Sequence, residues 1–278
     1  MLKRLLVAGA TAATAAAAGG FVLARSAFRE WGIDPADAAR ALPGDDLVTA
    51  AEAIDTRSID IDAPPEQVFP WLVQMGYGRG GWYSYDQLDM NHPSVDRIVP
   101  ELQALSVGDT IPTHPTGGFE VRFLEPDHAL VLYADRELML AQAEAAKAAT
   151  TVPQSTIEAD APTEAAIAPA IEPTPANLKA TGAYLDATLQ GDFRASWAFV
   201  LEPTGDGQTH LIERFRGTVV PAEDSKPVPA VARTMLGFGV FVMTRRQMLG
   251  LKARVEGRPE TGFLAQALRR RTVRPTPA

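Results

Sequence analysis

Trp82, Tyr83, Ser84, Tyr85 and Asp86 follow directly on Gly76, Gly78, Gly80 and Gly81. Aromatic rings on a turning, glycine-rich stretch suit the mouth of an apolar cavity, where one end of each ring is dry and the other wet. The same rings can equally plug a core beneath a covering helix. Trp82, Tyr83, Tyr85 and Asp86 are therefore candidate ligand-binding residues. Trp197 and Phe199 lie two apart in a strand-like run and share one of its faces. They bound a ligand if that face is concave and fill a core if it is not. Phe238, between Gly237 and Gly239 in the last helical stretch, completes the aromatic set.

The charged candidates are fewer. Asp86, Asp89 and Asp96 form a short acidic series. Paired carboxylates carry acid–base chemistry when burial drives their pKa values apart, and otherwise cap helices or pair with arginines such as Arg79 and Arg97. His92 can act as a base, but the sequence shows no group to orient it. Glu213 and Arg214 are neighbours in a strand, so they point to opposite faces. Arg214 and Arg216 share a face and suit an acidic head group, unless that face is solvated. No Gly-x-Ser-x-Gly setting surrounds Ser84, so a hydrolase nucleophile has no support, and catalytic residues stay unassigned.

Composition excludes several classes. The 278 residues contain no cysteine, which removes disulfides, thiolate nucleophiles and thiolate metal sites. The four histidines have no metal-ligand spacing, and no cofactor or metal is expected. A net charge of -8 opposes binding to a phosphate backbone, so nucleic acid is not an expected partner. With 46% hydrophobic residues, a sizeable core is available.

The elements that must position these residues follow from periodicity. Ser58 to Asp62 alternates as a half-buried strand, and Glu66 to Met75 carries an apolar helical stripe with Pro70 inside it. Gly108 to Pro112, Phe119 to Leu124 and Leu130 to Tyr133 are short strands between turn residues. Arg194 to Leu201 and Thr209 to Gly217 form a hairpin through a Pro- and Gly-containing loop, and Val231 to Val255 is a long closing helix. Grouped strands followed by a helix predict an α+β domain, with an antiparallel sheet wrapped around the C-terminal helix. That domain spans 54–255. It is interrupted at 135–192 by an insertion that opens as an Ala-rich helical stretch and continues in Pro, Ala, Thr and Glu, a composition expected to stay disordered. Residues 256–278 form a mobile tail.

The stretch from Ile61 to Leu72, with its Ala63-Pro64 and Val68-Phe69-Pro70-Trp71-Leu72, resembles the opening of the START-like (SRPBCC) superfamily, which includes polyketide cyclases and dehydrases. Val73 to Asp86, Asp96 to Leu102, Val107-Gly108-Asp109 and Ser196 to Phe199 resemble one bacterial branch of it. The resemblance covers about residues 57–133 and 194–255 and departs at the insertion. It implies a helix-grip fold with a cavity between sheet and last helix. It does not imply a reaction, because such folds carry, cyclise or sense apolar molecules.

Lys3 and Arg4 precede an uncharged run from Leu5 to Ala24, closed by Arg25. About 20 helical residues span about 30 Å, the thickness of a hydrocarbon core. Residues 1–30 are thus a single-pass transmembrane anchor or a cleaved signal peptide of a secreted protein. Residues 31–53 form a spacer. The functional expectation is a membrane-tethered protein that binds a small hydrophobic or lipid-like ligand. The alternative is a cyclase- or dehydrase-type enzyme acting on an apolar substrate in the same cavity.

Overall fold

The computed structural model describes residues 28–86, 93–151, 191–220 and 230–258. Its frame is one six-stranded antiparallel sheet in the order β1-β6-β5-β4-β3-β2. The strands are β1 (Ala53–Ile61), β2 (Thr110–His114), β3 (Gly117–Glu125), β4 (Ala129–Asp135), β5 (Asp192–Pro203) and β6 (Thr209–Val220). The helices are α1 (Pro35–Ala39), α2 (Pro65–Val73), α3 (Arg136–Thr151) and α4 (Ala230–Val255). β1 begins five residues before the expected strand, because its polar first half pairs with β6 as regularly as its alternating second half.

Both faces of the sheet are covered. On the inner face, α2 and the turn after it bring Trp71, Leu72, Met75, Trp82 and Tyr83 onto Phe199, Leu201 and Leu211. On the outer face, Ile33 and Leu42 pack on Ala129, Val200 and Ile212. Residues 31–53, expected as a spacer, are therefore part of the fold. Asp34 caps α1 by accepting the Ala36 N–H at 2.8 Å, and Pro35 occupies its first turn. Gly44 has φ +87 and opens the next 3₁₀ turn, Asp45–Val48; a Cβ there would meet Val131 at 2.4 Å. Glycine is what lets this segment lie so close to the sheet.

The helix-grip expectation fails on α4. The helix is long, but the sheet does not wrap it. It lies along the edge strand β1 and against α2. Thr244, Gln247, Met248 and Leu251 are buried, while Gly237 to Val240 in its first half are exposed. The physical reason is that α2 and the 76–83 turn already occupy the centre of the inner face, leaving the helix only the margin. The glycines and arginines of α4 also give it no continuous apolar stripe to bury. No helix among the described residues is long and apolar enough to cross a membrane. The uncharged run from Leu5 to Ala24, expected to span a membrane, lies outside the described residues, as do 152–190 of the insertion and the tail from 259 onward. The insertion's first part is α3, whose Met139 packs with Ala134 and Phe193.

The inward end of α4 approaches the 76–83 turn closely. A Cβ on Gly250 would stand 2.0 Å from the Tyr83 carbonyl oxygen. Gly250→Ala should lower stability by about 1–3 kcal/mol despite better helix propensity. Gly205→Ala, where a Cβ meets nothing within 4 Å, should cost far less. Urea unfolding of the two variants measures the difference.

Candidate functional site

The register of β1 on β6 places Arg57 opposite Glu213, and that of β6 on β5 places Glu213 opposite Phe199. Strand alternation then puts Asp55, Arg57, Phe215, Glu213, Trp197 and Phe199 on the inner face, and Thr56, Arg214 and Arg216 on the outer.

Glu213 is fully buried. Its Oε1 accepts the Trp197 indole N–H at 2.7 Å. Arg57 Nη1 stands 3.9 Å from Glu213 Oε2, an ion pair without a hydrogen bond. The rest of the Arg57 guanidinium is held by its Nε donating to Phe28 O at 3.1 Å and by Asp55 Oδ2 at 3.4 Å. Asp55 in turn pairs with Arg29 Nε at 3.2 Å. The Phe241 ring of α4 lies over Arg57, 5.9 Å from the guanidinium carbon. Burial pushes the Glu213 carboxyl up from the ordinary carboxylate range, against the pull of Arg57 and the indole hydrogen bond, and nearby Asp55 pushes it further. Three buried polar atoms in this cluster make no hydrogen bond: Asp55 Oδ1, Arg57 Nη1 and Glu213 Oε2. Each such atom costs about 1–3 kcal/mol.

Beside the cluster is an aromatic group. The Trp82 and Trp197 rings stack at 5.4 Å, and Trp197 also meets Phe119 at 5.8 Å and Phe199 at 5.1 Å. The cover is thinner at this group, where Trp197, Phe215 and Phe119 are only half-buried. On this side α3 lies over β3, β4 and β5, while α4 keeps to β1 and α2.

Of the residues singled out from the sequence, Trp82, Trp197 and Phe199 are thus brought together, around Glu213. Tyr83 is fully buried beneath α4 with φ +58, and its hydroxyl donates to Trp71 O at 2.9 Å. Desolvation drives that hydroxyl's pKa well up, so it stays protonated. Asp86 accepts from Ser94 Oγ at 2.5 Å, and Ser94 Oγ accepts the Tyr83 N–H at 3.1 Å, so this carboxylate organises the turn. Tyr85 is half-buried with Arg246 6.0 Å from its ring. Phe238 is exposed, with its ring 5.1 Å from that of Phe28. Asp96 is exposed, and Asp89 and His92 lie outside the described residues.

Arg214 is on the other side of the sheet. It donates to Asp45 Oδ2 at 2.7 Å, to Ala38 O at 2.6 Å, to Arg40 O at 2.8 Å and to Thr56 Oγ1 at 3.0 Å. Arg216 donates to Val48 O at 3.1 Å. These guanidinium groups clamp the outer covering segment, and their donors serve the chain itself. Asp55 and Arg57 escaped sequence reasoning. The signal was present, since both keep the parity of Ile59 and Ile61 and so had to face inward. No group of acidic and histidine side chains among the described residues could hold a metal ion.

No protein-family model matches the chain, and no curated protein does. Among solved structures, it is similar to the X-ray crystal structure of protein MLL2253 from Mesorhizobium loti. The two share 16% identity with a TM-score of 0.31, over 74% of this chain and 99% of that one.

A carboxyl raised on folding contributes stability that is fully present below its unfolded pKa of about 4.3 and is lost as pH rises through the folded value. Glu213→Gln removes this penalty while keeping the shape. The wild type should therefore lose stability relative to Glu213→Gln as pH rises from about 4 until Glu213 is ionised. Urea titrations at a series of pH values test this; a constant difference across that window contradicts it.

Proposed function

We propose that this protein binds a small apolar molecule with a polar end, against the inner face of the sheet between Trp82, Trp197 and Phe199 and the Arg57–Glu213 pair. The observation that carries this reading is the meeting of an aromatic cluster with buried polar atoms that the protein leaves unpaired. Small-molecule sites combine an apolar lining with a few convergent polar groups. The likeness of the Ile61–Leu72 opening and the Ser196–Phe199 strand to START-like proteins supports the same class of ligand, though not a cavity gripped by the last helix. Residues 1–30 tether the protein to a membrane, close to a supply of apolar molecules; the uncharged run from Leu5 to Ala24 supports this part of the reading.

A neutral apolar fluorophore, N-phenyl-1-naphthylamine, should bind the full chain saturably at one site. Trp197→Ala should weaken that binding about tenfold, the ~1.4 kcal/mol expected of one aromatic contact. Absence of saturable binding to the wild type defeats the reading.

A second reading has an observation of its own. Glu213 is an inward-facing carboxyl held toward its neutral form, which suits proton transfer in a cyclase- or dehydrase-type reaction. The two readings separate in the molecules that the protein carries when purified from its host. An enzyme should yield different cargo from wild type and Glu213→Gln, the variant retaining a substrate that the wild type has already dehydrated or cyclised. A carrier should yield the same molecule from both.

A further inference from the structure

The charges around Arg57 restrict what the polar end of a ligand can be. The side chains that face the cluster are Asp55 and Arg57 of β1, Arg29 paired to Asp55, Glu213 of β6, Trp197 of β5 and the Phe241 ring of α4. Arg29 and Arg57 together balance Asp55 and Glu213. Asp55 holds the Nη2 side of Arg57 at 3.4 Å, while Nη1 meets Glu213 Oε2 at 3.9 Å and without a hydrogen bond. A close, well-formed pair would turn a hydrogen of Nη1 onto Oε2. Here both atoms are buried, adjacent and unpaired. A group placed against both must accept from Nη1 and also satisfy Oε2.

We propose that this cluster seats a carboxylate, so that the ligand is an apolar organic acid sharing one proton with Glu213 beside Arg57. This deepens, and rests on, the binding reading above. One ligand oxygen accepts from Arg57 Nη1 and the other accepts from Glu213 Oε2, which carries the shared proton. Two adjacent carboxyls do not both ionise in a buried site, and one guanidinium balances the single remaining negative charge. An alcohol satisfies the same two atoms but brings no charge to balance Arg57 once Glu213 is neutral. An amine places a cation against a guanidinium. Raised by its burial, Glu213 is readily protonated and suited to this arrangement.

Binding retains a proton that free protein and free acid would both release above their pKa values. Affinity for the acid should therefore fall about tenfold per pH unit once Glu213 of the free protein ionises. Glu213→Gln presents a permanent donor in the same place and should bind the acid with that slope removed.

The test is competition against N-phenyl-1-naphthylamine on the full chain, kept in solution by an amphipathic polymer, with octanoate, octanol and octylamine at pH 5 to 8. Octanoate should displace the fluorophore at least about tenfold more effectively than octanol at the low end. That advantage should shrink with rising pH in the wild type and persist in Glu213→Gln. If octanol competes as well as octanoate, or octylamine competes best, the cluster holds a water or a hydroxyl and the proposal is overturned. A wild-type affinity independent of pH, or a Glu213→Gln variant with the wild-type slope, overturns it as well. In each of these cases fluorophore binding survives and the broader reading stands. If the wild type does not bind the fluorophore, that reading fails and the proposal with it. The wild-type pH series and the choice among three ligands need no variant, so the test holds even if Glu213→Gln is poorly folded.

Discussion

A charged pair buried across β1 and β6 constrains the rest of this molecule. Arg57 and Glu213 are drawn out of water by the register that sets them face to face. Desolvating two such groups costs several kcal/mol each, repaid only where geometry and further hydrogen bonds are good. The protein supplies part of that support: the Trp197 indole, the Phe28 carbonyl, Asp55 and the Phe241 ring all converge on the pair. These groups come from β5, the segment before α1, β1 itself and α4. The pair therefore ties the N-terminal entry of the chain and its last helix to the middle of the sheet.

The same register decides the other face. Because side chains alternate, the residue after Glu213 must point outward, and Arg214 there grips the segment that covers the outer layer. A slip of one residue would move Arg214 inward and Glu213 beneath Asp45. Opposite charges on consecutive positions thus pin the strand more firmly than apolar residues alone. The two sides also differ in how completely they are satisfied. Arg214 has its donors matched by carbonyls, a carboxylate and a hydroxyl, while Arg57 and Glu213 keep unpaired atoms. That asymmetry separates the structural side of the sheet from the side that can receive a ligand.

Much of the strand plan was legible from periodicity. β2 to β6 overlap the strands read from the sequence between turn residues, and the long last helix begins within one residue of its expected start. What periodicity could not reveal was where that helix goes. An apolar count along α4 is compatible with a core helix, yet Gly237 to Val240 are exposed because other residues fill the sheet's centre. The candidate site was legible in part. Trp82, Trp197 and Phe199 carry signals that hold, being large aromatics at strand or turn positions. Asp55 and Arg57 share the inward parity of Ile59 and Ile61, but their charge argues for solvent, where charged residues in a half-buried strand ordinarily face.

By itself, the sequence determined the strands, the aromatic rings available to a site, the opposite facing of Glu213 and Arg214, and the absence of thiol chemistry. Each of these depends on residue type and local period alone. Only the tertiary structure decided which of the two charged neighbours turns inward, that Arg57 meets it, and that residues 31–53 are a covering layer. Those outcomes depend on pairing between segments more than 100 residues apart, and on competition among α2, the 76–83 turn and α4 for one apolar face. No local pattern records the result of that competition, because it is settled by the volume and burial of the whole set at once.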